Sequence, residues 1–455
     1  MEFATDKLYD QSGRLDPDYA GELTVCTIGG SLTEGGHEWL EMVQLYLASL
    51  FPHARVNLYN GGLGGTGSVA GAMRFDTEVS AHKPDIVFIE FTVNDGAGNP
   101  AGCTAATESM LRRCLALDPI PAVIYLHTVM PRDPGSDGWF DHMRAIGLKE
   151  VLARHYGLPT IGIYDYVLRK YRHDCIPGER FEEFLVRAGY YKLNARGAVD
   201  VHPYPNGYRL YGEAILEAFR SYGASYYLRR PRTDIPLFSD PSLHGVATAR
   251  YTCRAVGEED GGELVLSRRA GITYGGGWTL IEERTSCMRY VPAEGEAMVR
   301  YRLNGLMYAD NRVHRLVRTV GDTSAITDRG PSFYFESDAD AFALTFRSIY
   351  YNRPLRYYEL VDGVWTLLAE TSPTSINSKP DGAGQTFYDR LIPMTPGQSL
   401  HRIMAVVAVS AEGGNAPTDR SGDPPVQGGS ASAAVTDVSG YSFRFGLLTE
   451  QYLGR

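Results

Sequence analysis

The sequence has few features that would tie it to a metal, a membrane or a nucleic acid. Its six cysteines include no C-x-x-C pair and its 11 histidines no H-E-x-x-H pair, so we expect no metal site. No apolar run reaches the length of a membrane span. Lysine and arginine (44) are fewer than aspartate and glutamate (54), the formal net charge is −10, and there is no basic run. This balance excludes nucleic acid as the main partner.

The sequence also shows no sign of secretion or of a disulfide framework. Residues Met1–Lys7 contain no basic segment followed by an apolar one, and the cysteines have no regular spacing. We therefore expect a cytoplasmic protein with free thiols. Cys26 falls within an apolar run, which predicts a buried thiol that packs as a small apolar group.

A chain of 455 residues is too long for one core, so we expect more than one domain. Strand and helix patterns alternate as far as residue 230, and the Pro-bearing stretch 231–241 indicates a linker. After the linker, period-two alternation dominates. We predict an α/β domain at 1–230 and an all-β domain at 242–455.

The first domain is predicted to be a doubly wound parallel sheet with helices on both faces. In such sheets, ligands bind at the carboxyl ends of the strands. The apolar patterns predict strands at 23–28, 55–60, 85–93, 122–129 and 160–167, and helices at 37–51, 69–83, 104–117, 139–156, 179–189 and from 206 onward.

Ser31 follows the first predicted strand on a glycine turn and precedes a helical pattern. A strand-turn-helix junction holds a serine hydroxyl clear of the sheet and places backbone N–H groups where a negative charge is stabilised. These are the requirements of a nucleophile. The alternative is an ordinary Gly-Ser turn in which the serine caps the helix.

Three further polar features belong to the same edge of the predicted sheet. The glycine-rich stretch 61–67 and Asn94 each follow a strand, and His202 precedes the last helix of the domain. Acyl transfer needs a nucleophile, a base and donors for the oxyanion. We expect Ser31 and His202 to supply the first two. The N–H of Ser31, an N–H of the glycine loop and the amide of Asn94 would be the donors.

These residues resemble the four blocks of the SGNH (GDSL-type) hydrolases, in order and in spacing, over about 200 residues. The resemblance implies a flavodoxin-like three-layer fold, Gly65 as the oxyanion glycine, and esterase, lipase, thioesterase or carbohydrate deacetylase activity without a cofactor. The matching stretches are Gly29-Gly30-Ser31-Leu32-Thr33, Asn60 to Gly65, Val93-Asn94-Asp95, and Asp200 to Pro203.

The sequence departs from the family pattern at two positions. Gly30 stands where the family has Asp, at a position that takes no part in the reaction. Val199 stands three residues before His202, where the family places the acid. Asp200, two residues before His202, is therefore the candidate orienting acid. A backbone carbonyl or a distant acid is the alternative.

The glycine-rich stretch also fits a second class of protein, the dinucleotide-binding enzymes. Gly62-x-Gly64-x-x-Gly67 fits the dinucleotide-binding fingerprint, with Asp85 and Glu90 downstream. Neither acid stands at the strand end, where a ribose-binding carboxylate belongs. The hydrolase interpretation is preferred.

The C-terminal half is predicted to be a jelly-roll-like β-sandwich. Val361-Asp362-Gly363-Val364 indicates a hairpin turn, and residues 411–433 a long mobile loop. Trp278 and Trp365, if exposed on one face, would support carbohydrate binding. A lid or a dimerisation surface is the alternative. Alternating apolar residues occur at Val299/Tyr301/Leu303, Phe342/Leu344/Phe346 and Tyr441/Phe443/Phe445/Leu447.

The sequence thus predicts a serine esterase that removes short acyl groups, O-acetyl first, from a small-molecule or oligosaccharide ester. We expect no nucleic-acid or membrane partner, and a homo-oligomer is left open. Two alternatives remain: a lipid or thioester hydrolase that uses the same residues, and a non-catalytic glycan-binding protein.

Overall fold

In the computed structural model, contacts between residues divide the chain into two compact units. The first comprises residues 1–247 and 285–305, and the second residues 248–284 and 306–455. The residues described are 2–95, 100–238, 249–250, 278–290, 299–310, 332–337, 341–348, 355–371, 386–388, 392–407 and 441–448.

The first unit is built on a parallel sheet with the order β2-β1-β3-β4-β5. This is the flavodoxin-like order, so the predicted fold class is confirmed. A separate antiparallel pair, β6 and β7, lies outside this sheet. The strands are β1 (Glu22–Gly29), β2 (Arg55–Gly62), β3 (Ile86–Glu90), β4 (Ala122–His127), β5 (Thr160–Gly162), β6 (Tyr191–Leu193) and β7 (Val199–Pro203).

The helices bury apolar residues at helical spacing. In α2, Leu40, Val43 and Leu47 join the core that contains Val25 of β1, and each such side chain contributes about 1.5–3 kcal/mol. The helices are α1 (Ser31–Glu34), α2 (His37–Leu50), α3 (Ser68–Glu78), α4 (Pro100–Leu115), α5 (Asp137–Tyr156), α6 (Ile163–Asp174), α7 (Phe181–Arg187), α8 (Pro205–Tyr222) and α9 (Ala224–Tyr227), with 3₁₀ turns at Asp6–Leu8 and Ser80–His82.

The predicted strand 160–167 is shorter than expected, because β5 ends at Gly162 and α6 begins at Ile163. Asp165 lies in the first turn of α6, where a carboxylate stabilises the helix N-terminus. A short apolar run does not by itself distinguish the end of a strand from the start of a helix.

The sheet of the first unit also contains strands that follow the predicted linker in the sequence. Cys287–Tyr290 of β9 (Trp278–Tyr290) pair antiparallel with Tyr59–Val56 of β2, and β10 (Val299–Asp310) follows β9 in the sheet. The sequence analysis assigned both strands to the C-terminal domain. An edge strand of a parallel sheet offers unpaired N–H and C=O groups to any strand that reaches it, whatever its place in the sequence.

The second unit contains antiparallel sheets, with the orders β11-β17-β13-β14 and β15-β12-β18-β8. The predicted alternating runs of β12 and β18 pair with each other, Leu344 opposite Phe445. The strands are β8 (Ala249–Arg250), β11 (Ser332–Ser337), β12 (Ala341–Ser348), β13 (Leu355–Val361), β14 (Val364–Thr371), β15 (Thr386–Tyr388), β16 (Ile392–Pro393), β17 (His401–Val407) and β18 (Tyr441–Leu448).

Several smaller predictions are decided by the described residues. The hairpin turn is confirmed, because Val361 pairs with Val364 and the φ angles of Asp362 and Gly363 are 50° and 82°. Trp365 is 0% exposed, which rules it out as a surface sugar-stacking residue. Cys26 is buried in β1, as predicted. The predicted loop 411–433 and the side chain of Trp278 lie outside the described residues.

Within the described part of the chain, no helix is long and apolar enough to span a lipid bilayer.

Candidate active site

Ser31 lies at the start of α1, directly after the carboxyl end of β1. The turn is tight, since a Cβ on Gly29 would lie 2.7 Å from the carbonyl oxygen of Glu90 and closer still to Thr33. The buried side chain of Arg74 fixes the two strand ends, donating to the carbonyl of Gly61 and, at 2.6 Å, to that of Gly29. The serine is therefore mounted on a rigid junction.

The imidazole of His202 meets the hydroxyl of Ser31 although the two residues are far apart in the sequence. The distance from His202 Nε2 to Ser31 Oγ is 2.8 Å, within hydrogen-bond range. His202 lies in β7, which pairs antiparallel with β6.

Asp200 orients the ring from the same strand. Its Oδ1 lies 2.9 Å from His202 Nδ1 and accepts the backbone N–H of His202 at 3.0 Å. Residues two apart on a strand project to the same side, so a spacing of two suits an acid and a histidine on β7.

The electrostatics of Asp200 favour the carboxylate. Burial acts to raise its pKa, but the bonds from His202 and the positive charge of Lys192 outweigh burial, so the pKa is lowered from its ordinary value. Lys192 Nζ lies 3.7 Å from Asp200 Oδ2 and is well exposed. An ionised Asp200 can accept a hydrogen bond from Nδ1–H of His202, which leaves Nε2 unprotonated and facing Ser31.

Three donors near Ser31 make no hydrogen bond to any described residue. They are the backbone N–H of Ser31, the backbone N–H of Gly65 and the side-chain amide of Asn94. Gly65 has a φ of 72°, a conformation that favours glycine. Asn94 is exposed, and its side chain is so close to the serine turn that a Cβ on Gly30 would lie 2.2 Å from its Oδ1.

The glycine loop is held against α1 by side chains. Glu34 Oε2 accepts the N–H of Gly64 at 2.8 Å, and Asn60 Oδ1 accepts that of Gly62 at 2.8 Å. The amide of Asn60 donates in turn to the carbonyl of Thr33 at 2.9 Å. The loop and the serine turn consequently form one unit.

A buried glutamate lies beneath α1. Glu90, at the end of β3, accepts from Thr33 Oγ1 at 3.0 Å and from Thr128 Oγ1 at 2.7 Å. Burial raises its pKa, and the two hydroxyl donors oppose that shift. Glu90 thus connects α1 to Thr128, the residue that follows β4.

A buried ion pair lies behind Asn94. Asp95 Oδ1 accepts the backbone N–H of Ser68 at 2.7 Å, and its Oδ2 lies 2.5 Å from Lys149 Nζ of α5. Sequence analysis missed Lys149, Glu34 and Glu90 as parts of the site. The adjacency of Asp95 to Asn94 was the only sequence signal for this pair.

The two candidate ribose-binding acids, Asp85 and Glu90, are both engaged in other contacts, which argues against a dinucleotide site. Asp85 is engaged by Lys7 at 2.9 Å and by the N–H of Thr24 at 2.7 Å, and Glu90 is fully buried between two threonines. Two glycines of the fingerprint, Gly62 and Gly64, are instead held against α1 and the serine turn, and Gly67 packs on Asp95. Among the described residues, no group of three or more His, Cys, Asp or Glu could hold a metal ion.

Residues 27–210 match the model of the GDSL-like Lipase/Acylhydrolase family. This part of the chain is therefore a domain of that family, and the resemblance read from the four blocks is confirmed. No curated protein matches the chain.

The chain is similar in fold to a two-domain esterase active on acetylated mannans. Its crystal structure with mannopentaose has a TM-score of 0.50 and 17% identity, and the match covers 88% of this chain and 89% of that one. A second structure of such an esterase has a TM-score of 0.49, 16% identity and coverage of 88% and 90%. An acetyl xylan esterase matches with a TM-score of 0.33 and 15% identity over 43% of this chain and 99% of its own.

The family match together with the fold defines the class of this domain: residues 27–210 form a carboxylic ester hydrolase domain of the GDSL type.

Proposed function

We propose that the protein is a serine esterase that removes short acyl groups, chiefly O-acetyl, from a carbohydrate, with Ser31 as nucleophile, His202 as base and Asp200 as orienting acid. The observation that carries the proposal is the continuous chain of contacts from Asp200 Oδ1 to His202 Nδ1 (2.9 Å) and from His202 Nε2 to Ser31 Oγ (2.8 Å).

The geometry supports a two-step acyl transfer. His202 Nε2 takes the proton of Ser31 as Oγ attacks the ester carbonyl, and it then gives that proton to the departing sugar oxygen. Water next attacks the acyl-enzyme, with His202 again as base, and acetate leaves. Asp200 stabilises the imidazolium in both steps.

The oxyanion would be bound by the N–H groups of Ser31 and Gly65 and the amide of Asn94. All three donors lack a hydrogen-bond partner among the described residues. They are therefore free to bind the oxyanion that forms from the substrate. The loss of one such donor typically costs about 3–4 kcal/mol of transition-state stabilisation.

The proposed substrate class rests on the fold comparison. The two-unit architecture resembles that of an esterase active on acetylated mannans, so acetylated mannan is the first polymer to test.

Replacing Ser31 with alanine tests the assignment. The variant should lose p-nitrophenyl acetate hydrolysis and labelling by a serine-directed phosphonate, because no other hydroxyl contacts His202 Nε2 among the described residues. Its thermal midpoint should match that of the wild type. Retained activity would refute the role of Ser31.

A panel of acyl esters and acetylated glycans tests the substrate. We expect p-nitrophenyl acetate to be preferred over p-nitrophenyl decanoate, and acetate to be released from a glycan. A preference for decanoate would point instead to a lipid or thioester hydrolase. Inertness to all the esters and to the phosphonate would point to a glycan-binding protein.

A further inference from the structure

Two of the oxyanion donors belong to different loops. Gly65 lies on the loop that follows β2, and Asn94 lies on the turn that follows β3. Donors must be aimed at one oxygen atom, so the relative position of these loops matters for catalysis. Asp95 joins them directly: it follows Asn94, and its Oδ1 accepts the N–H of Ser68, three residues after Gly65, at 2.7 Å.

The loop backbone packs closely on this carboxylate. A Cβ placed on Gly67 would lie 2.7 Å from Asp95 Oδ1, so the glycine permits the close approach. The turn that carries Asn94 is closed by its own bonds, since the N–H groups of Asn94 and Asp95 both donate to the carbonyl of Phe91. Movement of Asp95 would therefore move both donors.

The second oxygen of Asp95 is held by Lys149 from α5. The Nζ–Oδ2 distance is 2.5 Å, and the two side chains are 6% and 1% exposed. A lone buried carboxylate costs several kcal/mol, so the lysine is what allows a charged acceptor at this position. The lysine also donates to Thr107, whose hydroxyl bonds the carbonyl of Cys103.

We propose that Asp95 and Lys149 are positioning residues for the esterase reaction: Asp95 fixes the Asn94 turn against the Gly65 loop, and Lys149 neutralises and holds Asp95. This inference rests on the proposed function. Neither residue touches the substrate. A misplacement of about 1 Å in a catalytic group can cost about 10²-fold in rate, so the pair acts on kcat rather than on KM.

Two double variants separate positioning from charge balance. D95N/K149M and D95A/K149M both remove the buried charges, but only asparagine keeps an oxygen that can accept the N–H of Ser68. The measurements are kcat and KM for p-nitrophenyl acetate and the Kd of phenylboronic acid, which forms a tetrahedral adduct with the serine. All measurements are made well below the thermal midpoints of the variants. The kcat values are expressed per active site titrated with the phosphonate.

We expect kcat of D95A/K149M to be about tenfold to a hundredfold below that of D95N/K149M, with KM unchanged and the boronate Kd raised in parallel. Arg169→Met, which breaks the exposed pair with Glu217, is the control and should leave both values as in the wild type. If D95A/K149M fails to fold, the comparison is K149M against D95N/K149M, and K149M should have the lower kcat.

Equal kcat and equal boronate Kd in the compared variants would overturn the positioning role and leave the esterase assignment intact. A wild-type protein that neither hydrolyses the ester nor labels with the phosphonate would overturn the proposed function, and this inference with it.

Discussion

Asp200 shows how strand geometry sets the position of the proposed orienting acid. Two contacts converge on its Oδ1, from the ring and from the backbone N–H of His202. An acid placed three residues before the histidine on a strand would project to the opposite side. The strand geometry of β7 therefore explains why the acid stands at position 200 and not at Val199, where the family pattern has it.

Asp200→Asn should lower kcat by about 10²–10⁴-fold, because the amide can donate to Nδ1 and hold the wrong tautomer of His202. Since the pKa of Asp200 is lowered, the carboxylate stays ionised well into the acid range, and its loss on acidification comes only as the pH falls through that lowered pKa. Steady-state kinetics at neutral pH measure the drop in kcat, and protonation of Asp200 should cause no loss of kcat above its ordinary pKa of 3.8.

Lys192→Met provides the matched control for Asp200→Asn. The lysine contributes to the lowered pKa of Asp200, but it is exposed and 3.7 Å away, so screening limits its effect. The kcat of Lys192→Met should stay within about threefold of the wild type. A change in kcat as large as that of Asp200→Asn would mean that the ion pair, rather than the bond to Nδ1, is what matters.

The sequence predicted the proposed catalytic residues better than the residues that hold them in place. Ser31, Asn94 and His202 belong to motifs, and their order and spacing place them at one edge of the sheet. Glu34 and Lys149 reach the site only through tertiary contacts with Gly64 and Asp95, and a single sequence carries no pattern for such contacts.

At the level of elements, α1 is packed against the glycine loop backbone to backbone. A Cβ on Gly62 would lie 2.1 Å from the backbone nitrogen of Glu34 and 2.5 Å from the carbonyl carbon of Thr33. Such contacts cannot be relieved by a side-chain rotation, so α1 or the loop would have to move.

Gly62→Ala should therefore destabilise the protein by about 1–3 kcal/mol and lower the esterase kcat, because it overpacks the serine turn. Gly147→Ala is the control: Gly147 is exposed within α5, a Cβ there meets no atom within 4 Å, and alanine should stabilise the helix by about 0.5–1 kcal/mol. Urea unfolding measures both changes. The same sign for the two variants would contradict this account of the packing.

The contact between α1 and Glu90 predicts a pH effect on stability. Burial raises the pKa of Glu90 above its ordinary value of 4.5, so the folded protein keeps a proton that the unfolded chain has lost. The contribution to stability is complete below pH 4.5 and is lost as the pH rises through the raised pKa.

Glu90→Gln removes this titration, so its thermal midpoint relative to the wild type should be higher at pH 8 than at pH 5. Glu217→Gln, at the exposed pair with Arg169, should show a small change at both pH values. A Glu90→Gln midpoint that runs parallel to the wild type across this range would count against a buried titrating carboxyl.

Predicted elements were most accurate where the apolar period was long and least accurate at boundaries. The helix predicted at 37–51 is α2, His37–Leu50, because apolar residues recur over the whole segment. The strand predicted at 160–167 ended early, because Ile163 to Val167 are apolar enough to suit either a strand or the buried face of α6.

At the scale of the whole molecule, the change of pattern at residues 231–241 predicted that the chain divides once, at a linker. The two units of the structure are not separated at that single point. Residues 285–305 belong to the first unit, where Cys287–Tyr290 cover the edge of β2. Period-two alternation identifies a strand but does not say which sheet it joins, so this pairing could not be predicted from the sequence.

Cutting the chain at residue 241 should therefore leave β2 with an unpaired edge. We expect the fragment 1–241 to have a lower thermal midpoint than the full chain and to self-associate, because open edges pair with other chains. Since Ser31, Asp200 and His202 lie within it, the folded fraction should still hydrolyse p-nitrophenyl acetate. The fragment 1–310, which keeps β9 and β10, is the matched control and should associate less. A monomeric 1–241 fragment as stable as the full chain would show that the β2 edge needs no cover.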